Sequence, residues 1–188
     1  MNIIQKIAAA LLLFASLSTS VSAQKWFTRE ANVQFDATAK SSPEEIKAGS
    51  SSGTLVIEQT SGRLESAVLI KGFQFKKSLM QEHFNENYLE SGKFPKATFK
   101  GKIDDLSKVN FGKDGTYTAN VSGDLTLHGV TKPVSTPATF LVKKDKITVS
   151  TNFSTILTDY GISIPGLVAD KLAKEAKVSI SGVLEIMK

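Results

Sequence analysis

Two histidines, His83 and His128, and no cysteine limit the acid–base and nucleophilic chemistry open to this chain. Without cysteine there is no thiolate nucleophile, thiolate zinc site, iron–sulfur ligation or disulfide framework. A serine-type triad needs a histidine beside both a nucleophile and a carboxylate, and no Gly-x-Ser-x-Gly elbow stands at a strand-to-helix turn. His83 falls on the polar edge of a helical segment, and His128 falls at a strand end before Gly129, where a chain reversal is expected. They lie 45 positions apart, with no His-x-x-x-His pair and no closely spaced carboxylate set, so no metal site is expected. Asp104 and Asp105 are adjacent, which in a strand sends them to opposite faces rather than into an acid–base pair. No phosphate-cradling loop occurs, and Gly112-Lys113-Asp114-Gly115 reads as a hairpin turn. The expectation is a protein with no catalytic residue, no bound metal and no cofactor of its own.

The elements that position these residues are mostly strands, because the dominant hydrophobic period is two. Leu64, Ser66, Val68 and Ile70 share one face, as do Ala97, Phe99, Gly101 and Ile103. The pattern returns in Val121 to Leu127, in Ala138 to Val142, in Ile147 to Phe153 and in Val178 to Ile186. Thr60-Ser61-Gly62 joins two of these runs as a hairpin. With a first strand or bent pair over Trp26 to Ala39, about eight strands result, enough for an antiparallel barrel or sandwich that hides its sheet edges. The fold class is all-β.

Two segments break the period. Met80, Phe84 and Tyr88 at spacing four predict an amphipathic helix over Ser78 to Glu90, with Ser78 to Gln81 resembling a capping box. Leu167 to Lys174 predicts a second, shorter helix after the turn Ile164-Pro165-Gly166. Ser41-Ser42-Pro43 and Gly49 to Gly53 mark an exposed loop, with a helical turn expected within it at Glu44 to Ala48.

Composition sets the class: of 188 residues 41% are hydrophobic and 22% charged, the balance of an ordinary globular chain. Residues 1–23 carry Lys6, an apolar run from Ile7 to Leu17 and the small-residue site Val21-Ser22-Ala23, the pattern of a secretory leader cleaved near Ala23. The run is shorter than the roughly 20 apolar residues that cross a bilayer. Residues 24–188 then form a single domain of formal charge +4, exported to the periplasm or beyond. Arg29 and Arg63 are the sole arginines and the lysines are scattered, so nucleic acid is not an expected partner, while a weak, salt-sensitive attraction to anionic membrane surfaces is.

Apolar volume is the remaining resource. The chain has 11 phenylalanines, among them Phe75, Phe84, Phe94, Phe99, Phe140 and Phe153 on helix faces or inward strand positions. A barrel of about eight strands is either filled by such side chains or holds one small apolar ligand, and periodicity leaves both open.

Phe94-Pro95-Lys96-Ala97-Thr98-Phe99-Lys100-Gly101, preceded by His83-Phe84 to Tyr88-Leu89-Glu90, resembles the YceI-like family. So do Gly123 to Val134, with Leu127-His128-Gly129-Val130 at their centre, and Asp159-Tyr160-Gly161-Ile162, in the family's order and spacing. The resemblance implies an extended, lipocalin-like antiparallel β-barrel with one or two short helices. It further implies a non-enzymatic exported carrier of an amphiphilic lipid, such as a polyisoprenoid or isoprenoid quinone, held in the interior. On that reading Leu79, Phe84, Tyr88, Phe99, Leu125, Leu127, Phe140 and Phe153 line the cavity, with the helix as a wall or lid. A homodimer is the default assembly. Two rival readings are an envelope stress-related interaction module with a filled barrel, and an enzyme acting on a lipid headgroup through His83 or His128.

Overall fold

The computed structural model describes residues 24–187, and the predicted leader, residues 1–23, lies outside them. The period-two segments become strands β1 (Lys25–Thr38), β2 (Lys47–Glu58), β3 (Arg63–Leu69), β4 (Gln74–Phe75), β5 (Lys96–Ile103), β6 (Gly115–Leu127), β7 (Val130–Lys143), β8 (Lys146–Ile156) and β9 (Leu172–Ile186). Their order is β1-β9-β8-β7-β6-β5-β3-β2, and β1 pairs again with β2, so eight antiparallel strands close a barrel. Strand β4 is the extra one, paired with the start of β2 at Ala48↔Phe75 and Gly49↔Gln74.

Closure needs strands that bend, and bulges supply the bend. The register of β1 shifts against β2 between Thr28 and Val33, and against β9 between Phe27 and Asn32. Gly53 lies against this bulge: a Cβ there would stand 2.8 Å from the Ala31 carbonyl oxygen. Gly101 and Gly123 face each other across β5 and β6 with the Phe99 ring against them, 2.7 and 2.8 Å from where their Cβ atoms would be. Their lack of side chains is what lets that ring lie flat on the wall. The β6–β7 hairpin turns on His128 (φ 50°) and Gly129 (φ 76°), the pair of positive φ values that a two-residue type I′ turn requires.

The interior divides into two clusters. One gathers the starts of β1, β3 and β8 and the ends of β2, β5, β7 and β9, and it is solid: Ile57, Phe140, Ile147 and Leu184 are each fully buried in it. The Trp26 indole closes this end, with its Nε1–H donating to Gln59 Oε1 at 3.0 Å. The other cluster gathers the opposite strand ends, where Val33, Ala37, Ala48, Val68 and Ala176 meet residues of the connecting segments. Phe73, Phe84, Leu89, Tyr160 and Ile162 are its caps.

Several expectations are corrected here. The predicted helix over Ser78 to Glu90 is an α-helix, α1 (Ser78–His83), followed by a π-helical turn (Phe84–Tyr88), in which the Leu89 N–H donates to the Phe84 carbonyl at 2.9 Å. The Asn85 side chain occupies the Gln81 carbonyl that a continuing helix would use, at 2.9 Å. No capping box forms: Lys77 is the cap, and Gln81 Oε1 accepts from the Phe75 N–H instead. The second helix is absent. Gly166–Val168 makes one 3₁₀ turn, after which the chain pairs with β1 at Thr38↔Leu172 and runs on as β9. Glu44 to Ala48 forms no helical turn, since it leads from a bend into β2 at Lys47, and Gly49 to Gly53 lies within β2 rather than in a loop, because β1 pairs along it from Phe35↔Ala48 to Ala31↔Gly53. Gly112 to Gly115 leads from the 3₁₀ turn Leu106–Lys108 into the first residue of β6, so it joins no hairpin.

Candidate functional site

Between the two clusters lies a cavity of about 160 Å³. On β6 its lining runs from Val121 to Leu127, six residue steps and so roughly 20 Å of strand. The space is therefore long and thin, suited to a chain rather than a fused-ring body. Among the described residues no ionisable side chain lines it; the polar members are Ser66 and threonines. Those threonines on β7 and β8 have partners already. Thr136 Oγ1 donates to the Asn152 carbonyl at 3.0 Å, and Thr151 Oγ1 to the Pro137 carbonyl at 2.9 Å. Thr155 hydrogen-bonds the Tyr160 hydroxyl, and burial pushes that phenol above its ordinary pKa. With the Thr136 and Thr151 hydroxyls donating to protein carbonyls, this part of the wall meets an occupant mainly with carbon.

Of the residues expected to line the cavity, the structure brings Phe84, Phe99, Leu125, Leu127 and Phe153 together there. Three do not join them. Phe140 is inward-facing but belongs to the solid end, fully buried against Phe111, with ring centroids 6.5 Å apart. Leu79 is 60% exposed, because α1 turns its Met80–Phe84 side inward and leaves Leu79 in solvent. Tyr88 packs against the outer cluster without reaching the cavity. Unexpected members include Phe35, Phe73 and Ile162. Phe35 had a readable signal, the alternation Ala31, Val33, Phe35 along β1, whereas Phe73 and Ile162 sit in irregular segments where no period exists.

Phe84 is the stopper of the capped end. Its ring centroid lies 5.9, 5.6 and 5.0 Å from those of Phe35, Phe73 and Phe75, in tilted pairings of the kind aromatic rings prefer.

The motif residues gathered in the sequence meet at one place beside this end. His128 Nε2 lies 2.7 Å from Glu90 Oε2, and Nδ1 lies 3.1 Å from the Tyr160 carbonyl oxygen. Both partners accept, so the ring satisfies both when each nitrogen carries a hydrogen. The Phe94 ring packs edge-on to the imidazole, with centroids 4.6 Å apart, and a Cβ on Gly129 would stand 2.5 Å from it. Glu90, Phe94, His128, Gly129 and Tyr160 thus clamp the helical segment, the β6–β7 hairpin and the turn after β8 to one another. This is a structural joint, and no cavity-lining position is assigned to the imidazole.

His83 is exposed at the end of α1. Among the described residues no group of three or more histidine and carboxylate side chains is placed to hold a metal ion. Gly49-Ser50-Ser51-Ser52-Gly53 matches the letters of a serine-nucleophile motif but lies in mid-strand in β2, without the turn into a helix that exposes such a serine. Asp104 accepts from the Ser122 hydroxyl, and Asp105 accepts from Ser107 at the start of a 3₁₀ turn, so the two carboxylates work separately.

Comparison with known proteins places this geometry. A family model described as YceI-like domain matches residues 17–184. A UPF0312 protein of Pseudomonas fluorescens is 47% identical over 57 residues, 30% of this chain and 28% of the relative. One of Pseudomonas putida is 36% identical over 103 residues, 52% of this chain and 49% of the relative. The matches thus span about half the length of these curated relatives, or less. Among solved structures, a polyisoprenoid binding domain from Saccharophagus degradans superposes with a TM-score of 0.73 at 18% identity, over 88% of this chain and 99% of that one. BcnA of Burkholderia cenocepacia does so with a TM-score of 0.65 at 14% identity, over 82% and 95%. At such identities the likeness is one of fold. With the family match extending over most of the sequence and the barrel in agreement with it, the chain belongs to the YceI-like domain family.

Proposed function

We propose that this protein is a non-enzymatic carrier of an isoprenoid or other amphiphilic lipid in the bacterial envelope, acting in the periplasm after removal of residues 1–23. The observation that carries the reading is the cavity: hollow between two packed clusters, lined by apolar side chains with a few serine and threonine hydroxyls, and with no ionisable group among the described residues that line it. The fold neighbour from Saccharophagus degradans, a polyisoprenoid binding domain, supports the choice of ligand class.

Magnitudes bound the ligand. The cavity matches in size the ~150 Å³ apolar cavity that takes up benzene, so as it stands it seats about one to two five-carbon units. At about 0.8 kcal/mol per buried CH₂, ten carbons contribute about 8 kcal/mol. Association itself costs on the order of 4–15 kcal/mol, so firm retention requires a chain that makes contacts beyond those ten carbons. A long chain with its headgroup outside meets that requirement, and the wall supplies no charge to hold a headgroup within.

Leu125 on β6 and Phe153 on β8 both line the hollow part of the barrel, and both are only partly buried. Leu125→Glu and Phe153→Glu, made singly and together, are expected to abolish uptake of a fluorescent apolar chain such as parinaric acid while the far-ultraviolet circular dichroism stays that of the wild type. Folded variants that bind it as wild type does would contradict the interior assignment.

A further inference from the structure

We infer that the chain enters and leaves through the side of the barrel, by a slot where β7 and β8 part, rather than through either end. This rests on the carrier reading above. The ladder between these strands runs from Lys143↔Lys146 to Ala138↔Thr151 and stops, although β7 continues back to Val130 and β8 on to Ile156. Over that stretch β7 stays paired with β6, through to Leu127↔Val130, and β8 stays paired with β9, through to Ile156↔Glu175. Each strand is therefore held on one side and unpaired on the other.

The sequence keeps this seam from zipping. In the ladder with β6, residues 130, 132, 134 and 136 take the hydrogen-bonded positions expected beside a two-residue turn, so the backbone of 131, 133, 135 and 137 faces β8. Two of those four are Pro133 and Pro137, which have no N–H to donate. The Pro137 carbonyl takes the Thr151 hydroxyl and the Asn152 carbonyl takes the Thr136 hydroxyl, so side chains replace the ladder where the strands begin to part. At its far end the slot is bounded by the His128 contact to the Tyr160 carbonyl, which ties the β6–β7 hairpin to the turn after β8. Between these bounds, Val134 and Thr136 on one edge and Phe153 and Thr155 on the other belong to the cavity lining. Ile156, on the rim, is 41% exposed.

Three other routes are obstructed. One end of the barrel is the solid cluster around Phe140. The other is stoppered by Phe84 among three phenylalanine rings. The break in register between β1 and β9 is filled, since Gly182 lies there with Ala31 and Thr28 side-chain atoms 3.2 and 3.3 Å from where its Cβ would be. Passage through the slot breaks no ladder hydrogen bond and leaves the Phe84 packing in place.

The absence of cysteine gives a clean test. Continuing the register past Ala138↔Thr151 sets Ser135 opposite Ser154. A Ser135→Cys/Ser154→Cys variant, bridged with a short bismaleimide, closes the slot. A Thr139→Cys/Ser150→Cys variant ties the same strands where they are already paired. Parinaric acid uptake and release are followed by stopped-flow fluorescence. The slot predicts that bridging 135 to 154 slows both at least tenfold, that bridging 139 to 150 leaves them unchanged, and that Ser154→Cys alone, alkylated with a bulky maleimide, is slowed as well. Wild-type rates in the 135–154 bridged and 154-alkylated proteins, or equal slowing in the 139–150 control, would overturn the slot and leave the carrier reading standing. A delipidated wild type that takes up no probe would overturn the carrier reading, and the slot with it.

Discussion

Phe99 shows how much of the barrel wall depends on single residues. Its ring lies on Gly101 and Gly123, where an added methyl would run into the Ser122 and Lys100 carbonyl oxygens of the facing strands. Gly123→Ala is therefore expected to be strongly destabilising, a change readable as a large fall in thermal midpoint or as loss of soluble protein; a wild-type midpoint would contradict the close approach. His128 tests a different kind of dependence. Asn keeps the positive φ that the turn requires but is too short to reach both Glu90 and the Tyr160 carbonyl. His128→Asn should thus cost about 1–3 kcal/mol in urea unfolding by leaving the part-buried Tyr160 carbonyl unmet. Little or no loss would mean that the turn, and not the clamp, is what the residue supplies. Phe84→Ala removes the stopper; about 3–5 kcal/mol is the usual cost of such a deletion. The cavity should also widen toward the capped end, so lipid release should quicken.

At the level of elements, the strands were legible because half-buried antiparallel strands alternate. The segments Ala97–Ile103 and Val121–Leu127 have the faces their alternation predicts. What misled was local preference overruled by pairing. Leu167 to Lys174 has a helical composition, yet β1 and β8 offer two edges to the chain that follows Ala169, and from Leu172 onward it is strand. In the same way the glycine- and serine-rich Gly49 to Gly53 reads as a loop but is held as strand by β1. The spacing of four places the helix and its inward residue, Phe84, correctly, but the break at that residue depends on where Asn85 hydrogen-bonds, which no period encodes. Restoring a ladder donor tests the seam at this scale: Pro133→Thr and Pro137→Thr together should lengthen the β7–β8 pairing. Amide exchange would then show new protection at Ser135 and Ser154, and unchanged exchange there would mean that the prolines are not what holds the strands apart.

For the whole molecule, periodicity gives the side of the wall that a residue faces and not its depth along the barrel. Phe140 and Phe153 are the same residue type in the same inward phase, yet one is sealed in the solid end and the other lines the hollow. Depth follows from register, Phe140↔Val149 in one half and Phe153↔Val178 in the other, and register is a property of the closed barrel. The motifs shared with the YceI-like family carry the architecture, while the cavity, its stopper and its open seam exist only in the assembled fold. The claim on which the rest depends is that an apolar chain occupies this barrel. The most direct measurement is to purify residues 24–188 from a bacterial envelope fraction without detergent, and to compare the mass spectrum of an organic-solvent extract with that of the intact protein sprayed under native conditions. A lipid with a long apolar chain, stoichiometric with the protein and lost from it on extraction, is the predicted result. A protein that is lipid-free as purified, and stays so after incubation with isoprenoid alcohols and quinones, would contradict the account.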